Sequence, residues 1–322
     1  MIEVGRNTLL ITRNQFISLS RSNIHPELSI IVTVDPKNID DIKFLMLEDN
    51  HRTRQCVKFV TDLFVQFGRE YFSDFPHEPF TFVLEGGDCP RDTPSVSWQR
   101  KWFYKNVVLL PDFFYTEHDG YVRFLPDDVP SWNSRSDTVL WRGSTTGAWN
   151  TTLASLDNVP RYRLCKIGKT LGDQTDFKFY HVVQTRSEDD RLKIIEFFKD
   201  NDLWGDRINL SEFANYKYFV QIDGNGNSWE LVKKLKLGCC MLLVDSDWLL
   251  WHNPMLRPWT HYVPVKNDLS DLAEIVAWCR TNEHAAQQIA ENGRRFALDL
   301  DYRAEMRETI GLIVEHADMR AR

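Results

Sequence analysis

Cysteine is sparse and unpatterned in this chain of 322 residues. The six cysteines, Cys56, Cys89, Cys165, Cys239, Cys240 and Cys279, form no CxxC pair and no Cys/His cluster with zinc spacing. A structural zinc site of that kind is therefore excluded, and buried reduced thiols are expected. No run of 18 apolar residues exists, which excludes a membrane-spanning helix. Excess positive charge is also missing: the net charge is −7, so no bulk basic field for nucleic acid exists. Internal repeats and low-complexity tracts are absent. The opening stretch MIEVGRNTLLITRNQF has no basic-then-apolar signal pattern. A cytosolic protein is expected, with room for peripheral contact at a membrane surface.

What is present suits a sizeable core. Hydrophobic residues make up 43% and charged residues 26%, with 11 Trp, 10 Tyr and 20 Phe. Strands are expected at 28–34, Phe80–Leu84 and Val107–Leu110, with an amphipathic helix over 52–68 carrying Cys56, Val57, Phe59, Val60, Leu63, Phe64 and Phe67 at helical spacing. The stretch Leu125–Ser131 holds two prolines and no periodicity, and reads as a linker. Beyond it the pattern restarts. Strands are expected at Thr138–Trp141, Tyr218–Ile222, Cys240–Val244 and His261–Val265. Helices are expected at Glu188–Lys199, Ser228–Leu237, Leu269–Thr281 and His284–Leu298, followed by a helical run from about Tyr302 to His316. Strands alternating with helices predict an α/β protein with two parallel sheets, each covered on both faces and facing each other across a cleft.

Four stretches carry chemistry. In "IDGNGNSWELVKKLKLGCC", an apolar strand meets a glycine-containing loop and then a helix start. Free N–H groups and the helix dipole make such a junction an anion site. Gly224 and Gly226 allow close backbone approach. Asn227 or Ser228 suits the cap, and Lys233 and Lys234 follow one to two turns in. The pattern is neither GxxxxGK[ST] nor GxGxxG, so a plain turn stays open. In "VLWRGSTTG", Arg142 supplies charge and Ser144 and Thr145 supply donors for an anion; a strand end with a solvated arginine is the alternative. In "FVLEGGDCP", Asp88 follows two glycines at the end of an apolar strand, where open α/β sheets place ligands and a carboxylate can act as general base; a turn aspartate is the alternative. In "LLVDSDW", Asp245-Ser246-Asp247 has the form of a metal-binding DxD, although a strand-end turn is the favoured reading.

The stretch from Asn215 to Val265, continuing through 267–296, resembles glycosyltransferase family 90, as do "WRGS" at 141–144 and "FVLEGGDCP" at 82–90. The resemblance implies a GT-B architecture of two Rossmann-like domains: 1–130 for the acceptor and the catalytic Asp, 131–300 for the nucleotide-sugar, and a C-terminal helix over 301–322 packing back on the first. It implies an inverting, metal-independent transfer of xylose or glucose from a UDP-sugar to a glycan hydroxyl, with no cofactor and no nucleic-acid partner. Carried over by motif, Asp88 is the base. Arg142, Gly143, Ser144, Thr145, Gly224, Asn225, Gly226, Asn227, Ser228, Trp229, Lys233 and Lys234 form the donor site. Two family arginines are missing, with Glu230 and Asn150 near their positions; Lys233, Lys234 and Arg161 are the candidates for supplying the phosphate charge, and which of them does so stays open. A metal-dependent GT-A transferase using Asp245 and Asp247, and a non-catalytic sugar- or nucleotide-binding protein, are the alternatives.

Overall fold

The computed structural model describes residues 2–5, 7–20, 25–122, 125 and 128–321. Of the expected linker, residues 126 and 127 lie outside the described residues. The chain divides into two units. The first gathers Met1–Val122, Asp247–Asn253 and Leu300–Arg322; the second gathers Arg123–Ser246 and Pro254–Asp299.

The first unit holds strands β1 (Ile2–Gly5), β2 (Thr8–Leu10), β3 (Ser29–Val34), β4 (Lys43–Met46), β5 (Phe80–Glu85), β6 (Ser95–Ser97), β7 (Arg100–Lys101) and β8 (Val107–Leu109). Seven of them form one sheet in the order β1-β2-β4-β3-β5-β6-β8. The expectation of a parallel sheet is corrected here, because β3 runs antiparallel to both β4 and β5. A short turn-stabilised loop, with Asn38 N–H on Asp35 O and Asp41 N–H on Asn38 O, joins β3 to β4. Parallel neighbours need a crossover of a dozen or more residues, and this loop is too short to make one. The helix His51–Leu63 starts at a double cap between Asn50 and Thr53 and buries Cys56, Phe59, Val60 and Leu63. Helical structure continues through a wider π turn at Phe64–Gly68 into Arg69–Asp74.

The helix Tyr302–Ala321 packs on this unit through fully buried Met306, Ile310 and Ile313. Each such aliphatic side chain contributes roughly 1.5–3 kcal/mol. Asp247–Asn253, which the sequence pattern assigns to the second domain, also packs here. Its strand, Trp248–Leu249, pairs antiparallel with β7, and Trp251 lies 5.0 Å from the Tyr115 ring. Leu250 and His252 are buried, and burial pushes the His252 imidazole down to about 3.

The second unit holds β9 (Ser136–Ser144), β10 (Thr175–His181), β11 (Tyr216–Gln221) and β12 (Cys240–Val244). After Trp248–Leu249, which is β13, comes its last strand, β14 (Val263–Val265). These five strands run in the order β10-β9-β11-β12-β14, and every neighbour is parallel. Val139 and Trp141 of β9, Phe177 and Phe179 of β10, and Val220 of β11 share one core with Leu164, Cys165, Ile194, Phe198, Leu272 and Val276 from helices. The helix Pro160–Leu171 and strand β10 are elements for which the sequence pattern gave no expectation. Gly168 sits mid-helix because a Cβ there would lie 2.3 Å from the Phe177 ring.

Candidate functional site

In a parallel sheet, ligands collect beyond the carboxyl ends of the strands where the chain order reverses. In the second unit that reversal lies between β9 and β11. The chain leaves β9 at Ser144 and β11 at Gln221, so the loops from "WRGSTTG" and "IDGNGNSW" emerge side by side. Their contact is tight. Gly147 takes φ +114° and donates its N–H to Asn225 Oδ1 at 3.2 Å. A Cβ on Gly224 would sit 2.4 Å from Thr146 Oγ1 and 3.1 Å from Arg161 Nη2. Gln184 donates to the same Asn225 oxygen at 3.0 Å.

Arg161 occupies the first turn of Pro160–Leu171 and ties the two loops together. Its Nε donates to Asp223 O at 2.9 Å, Nη1 to Thr146 Oγ1 at 2.5 Å and Ser144 O at 3.2 Å, and Nη2 to Ile222 O at 3.3 Å. Burial lowers its guanidinium to about 10, opposed by the Asp223 carboxylate, so it stays charged at neutral pH. A charged arginine under paired loops at the switch point can stabilise an anion above them.

The other expected donor residues divide. Ser144 Oγ lies 3.4 Å from Thr146 Oγ1 within the cluster. Gly143 is required by its neighbour, since a Cβ would meet the Trp141 ring at 2.4 Å. Thr145 is fully buried and clasps the end of β10, donating to Val183 O and accepting from Val183 N–H. Arg142 points elsewhere. Its Nη1 donates to Trp141 O and Asp176 O, and Nη2 to Asp176 Oδ2 at 2.5 Å. Asp176 pairs in register with Leu140, further down the sheet from the loop edge.

The helix expected from Ser228 is shorter and later. It spans Leu231–Leu235, with Glu230 at its N-terminal boundary and no side-chain cap. Gly226 O accepts from Gly224 N–H, and Ser228 O accepts from Gln221 Nε2 at 3.0 Å, so the loop closes on itself before the helix begins. Asn227, Ser228 and Trp229 are half-buried in that loop. Lys233 and Lys234 both pair with Glu230, at 2.8 and 3.2 Å, and Lys234 foremost holds that carboxyl down at about 2. Lys234 Nζ also lies 4.6 Å from the centre of the Phe213 ring. These ion pairs explain Glu230 in a loop expected to meet phosphate. Both lysines are thus paired with Glu230, while Arg161, the third candidate in the sequence, hydrogen-bonds both loops.

Ser246 Oγ donates to Asp223, the Asp247 carboxylate accepts from Trp102 Nε1 at 3.3 Å, and burial, followed by the charge of Asp271, raises the Asp245 carboxyl. Among the described residues, no group of three or more His, Cys, Asp or Glu is placed to hold a metal ion. No helix among them is long and apolar enough to cross a membrane. Five of the six cysteines are buried as expected, and Cys89 is exposed.

In the first unit Asp88 follows β5 in the loop after Gly86-Gly87. Gly86 is fixed by Cys56, whose Sγ a Cβ would meet at 2.4 Å. Asp88 Oδ1 accepts from Arg52 Nη2 at 2.9 Å, its backbone oxygen accepts from Gln99, and its side chain remains 40% exposed. Beneath it lies a residue not singled out in the sequence. Glu85 is fully buried, accepts from the His25 and Arg91 N–H groups at 3.3 and 3.4 Å, and is raised by burial to about 7. A carboxylate closing an apolar strand was the available signal.

The profile described as Glycosyl transferase family 90 matches residues 126–304. Among relatives, an uncharacterised protein, 035R, of Invertebrate iridescent virus 3 is 26% identical over 90% of this chain and 26% of its own length. Human Protein O-glucosyltransferase 3 is 28% identical over 66% of this chain and 39% of its own length. The chain thus spans about a quarter to two fifths of these relatives. Among solved structures, HepE of Anabaena in complex with UDP-glucose is similar at a TM-score of 0.36 and 10% identity, over 57% of this chain and 49% of that one.

Proposed function

Since the chain belongs to glycosyl transferase family 90, we propose that it is a glycosyltransferase that moves glucose or xylose from a UDP-sugar to a hydroxyl of a glycan, with inversion and without a metal. One observation carries the reading: charged Arg161 binds both glycine-bearing loops at the switch point of a parallel sheet. The two α/β units fit the GT-B class that the sequence resemblance implies.

In this reading Asp88 takes the proton of the acceptor hydroxyl while that oxygen attacks the anomeric carbon. The bond from that carbon to the UDP β-phosphate oxygen breaks through an oxocarbenium-like state. Negative charge grows on the departing diphosphate. Arg161 opposes it in a preformed, partly dry setting where electrostatics act strongly. Arg52 holds the Asp88 carboxylate in position. Asp88→Asn is expected to lower turnover by roughly 10²-fold or more while UDP binding persists; near-normal turnover sinks the assignment. Transfer is expected to continue unchanged with a chelator present. Strict dependence on Mn²⁺ would restore Asp245 and Asp247 as metal ligands.

A further inference from the structure

The first unit carries a groove of about 450 Å³ between the helices His51–Leu63 and Phe113–Glu117. That volume falls within the usual range of small-ligand sites, about 300–1,000 Å³. We propose that this groove is the acceptor subsite and that it binds a neutral saccharide. The proposal rests on the glycosyl-transfer reading above and goes beyond it by naming where the acceptor lies and what class it is.

Three features of the lining support a saccharide. Phe114, 38% exposed, supplies an aromatic face, backed by the buried Phe113 ring whose centre lies 4.0 Å away. Aromatic faces cover the C–H faces of sugar rings. Gln55, Asp62 and Glu117 add acceptors for hydroxyls, and His51 adds a further polar partner. The charges balance, two against two: Arg54 and Lys58 line the groove with Asp62 and Glu117, and Lys58 stands 2.5 Å from Asp62 and 4.0 Å from Glu117. A mixed lining of this kind favours an uncharged polyol over a polyanion. A folded protein acceptor would need roughly 800 Å² of surface per partner, whereas this is a concave site of small-ligand size.

Arg52 joins the groove to the proposed base. It donates through Nη1 to Gln55 at 3.2 Å and through Nη2 to Asp88, and its guanidinium lies 5.8 Å from the Phe113 ring centre. Gln55 and Phe113 both line the groove. One side chain therefore separates the wall of the groove from Asp88. Both walls are held in place. Asn50 double-caps one helix; Asp112 caps the other and also accepts from the Tyr121 hydroxyl at 2.9 Å. Preformed walls lower the ordering cost of binding. A second hollow of about 470 Å³ shares Arg54, Lys58 and Asp62 with the first, which gives room for more than one sugar unit.

The test uses the full chain, UDP-glucose and UDP-xylose as donors, and a panel of methyl glycosides and disaccharides as acceptors. Phe114→Ala and Glu117→Gln should raise the acceptor KM about tenfold or more while the donor KM holds. Phe114→Trp, which keeps an aromatic face, should stay near wild type. Ligand-observed NMR with the same saccharides should show binding to the wild type and its loss in Phe114→Ala. Equal acceptor KM in all variants, equal saccharide binding, or no saccharide binding by the wild type overturns the assignment. Transfer to a peptide or folded protein that falls in the same variants overturns the saccharide class. Failure of the wild type to bind UDP or to release it from either donor refutes glycosyl transfer itself, and is separate from failure of the groove.

Discussion

Replacing Gly224 with alanine tests whether the paired loops are a binding surface or only a turn. The added Cβ would sit 2.4 Å from Thr146 Oγ1, far inside contact distance, with Thr146 Cβ and Arg161 Nη2 each 3.1 Å away. Thr146 cannot yield freely, because its Oγ1 accepts the Arg161 Nη1 bond at 2.5 Å. Either the loop lifts or that bond breaks. Overpacking of this kind costs about 1–3 kcal/mol, and a lost hydrogen bond to a charged group about 1.5–3 kcal/mol. For a unit of this size each kcal/mol moves the midpoint by about 2–4 °C, so a fall of about 2–12 °C is expected. Calorimetry with UDP should show affinity falling by about tenfold or more, since the loops and their arginine move together. In a Thr146→Ala background much of the clash is gone, so the two substitutions should be non-additive by about 0.5–3 kcal/mol. Additive effects would refute the packing argument. Unchanged UDP affinity in a folded Gly224→Ala variant would refute the placing of the donor here.

The other expectations concern residues with competing roles. Arg142→Met should cost about 2 kcal/mol by leaving Asp176 unpaired, a figure kept below that of a fully buried pair because Asp176 is a quarter exposed. UDP affinity should change less than about threefold; a loss of tenfold or more in a folded variant would return Arg142 to the donor site. Glu85 gives a pH effect whose sign is fixed. Its folded pKa, about 7, exceeds its ordinary value of 4.5. Its contribution is therefore fully present below pH 4.5 and is lost as pH rises through 7, by about 3 kcal/mol in all. Denaturant unfolding from pH 4 to 8 should show that Glu85→Gln removes this slope relative to wild type, and an unchanged slope would refute it.

Much of the second unit was legible because its strands are apolar and buried. Cys240–Val244 has the expected bounds, and both glycine loops fall where strand periodicity ends. Other parts were legible only in hindsight. The Glu230–Lys233–Lys234 spacing of i, i+3 and i, i+4 is that of an internal ion pair, yet the basic residues read as phosphate ligands. The helix Pro160–Leu171 was hidden because its interior glycine is explained by Phe177, a contact from a later strand. The mixed order of the first sheet follows from the short β3–β4 loop, but only once both strands are known to pair. Asp247–Asn253 belongs to the first unit through ring packing on Tyr115, and apolar periodicity carries no information about which core a segment joins.

Taking Arg161 as the cation, as proposed, changes the electrostatics of the site. A helix end stabilises a nearby anion by typically 0.3–1 kcal/mol when exposed, and a helix of five residues, Leu231–Leu235, sums few peptide dipoles. A buried guanidinium is a full charge. At roughly 5 Å and an effective dielectric of about 20, it is worth about 3 kcal/mol to a single negative charge. Arg161 reaches the loops by hydrogen-bonding their carbonyl oxygens at Ser144, Ile222 and Asp223. Those bonds draw the carbonyl dipoles toward the guanidinium, while the Gly147 and Gly224 N–H groups are spent on Asn225 Oδ1 and Gly226 O. The glycines then matter for closeness. A Cβ on Gly147 would lie 3.3 Å from Gly224 O, and one on Gly224 3.1 Å from Arg161 Nη2, so only glycine lets the two backbones pass this close beside the charge.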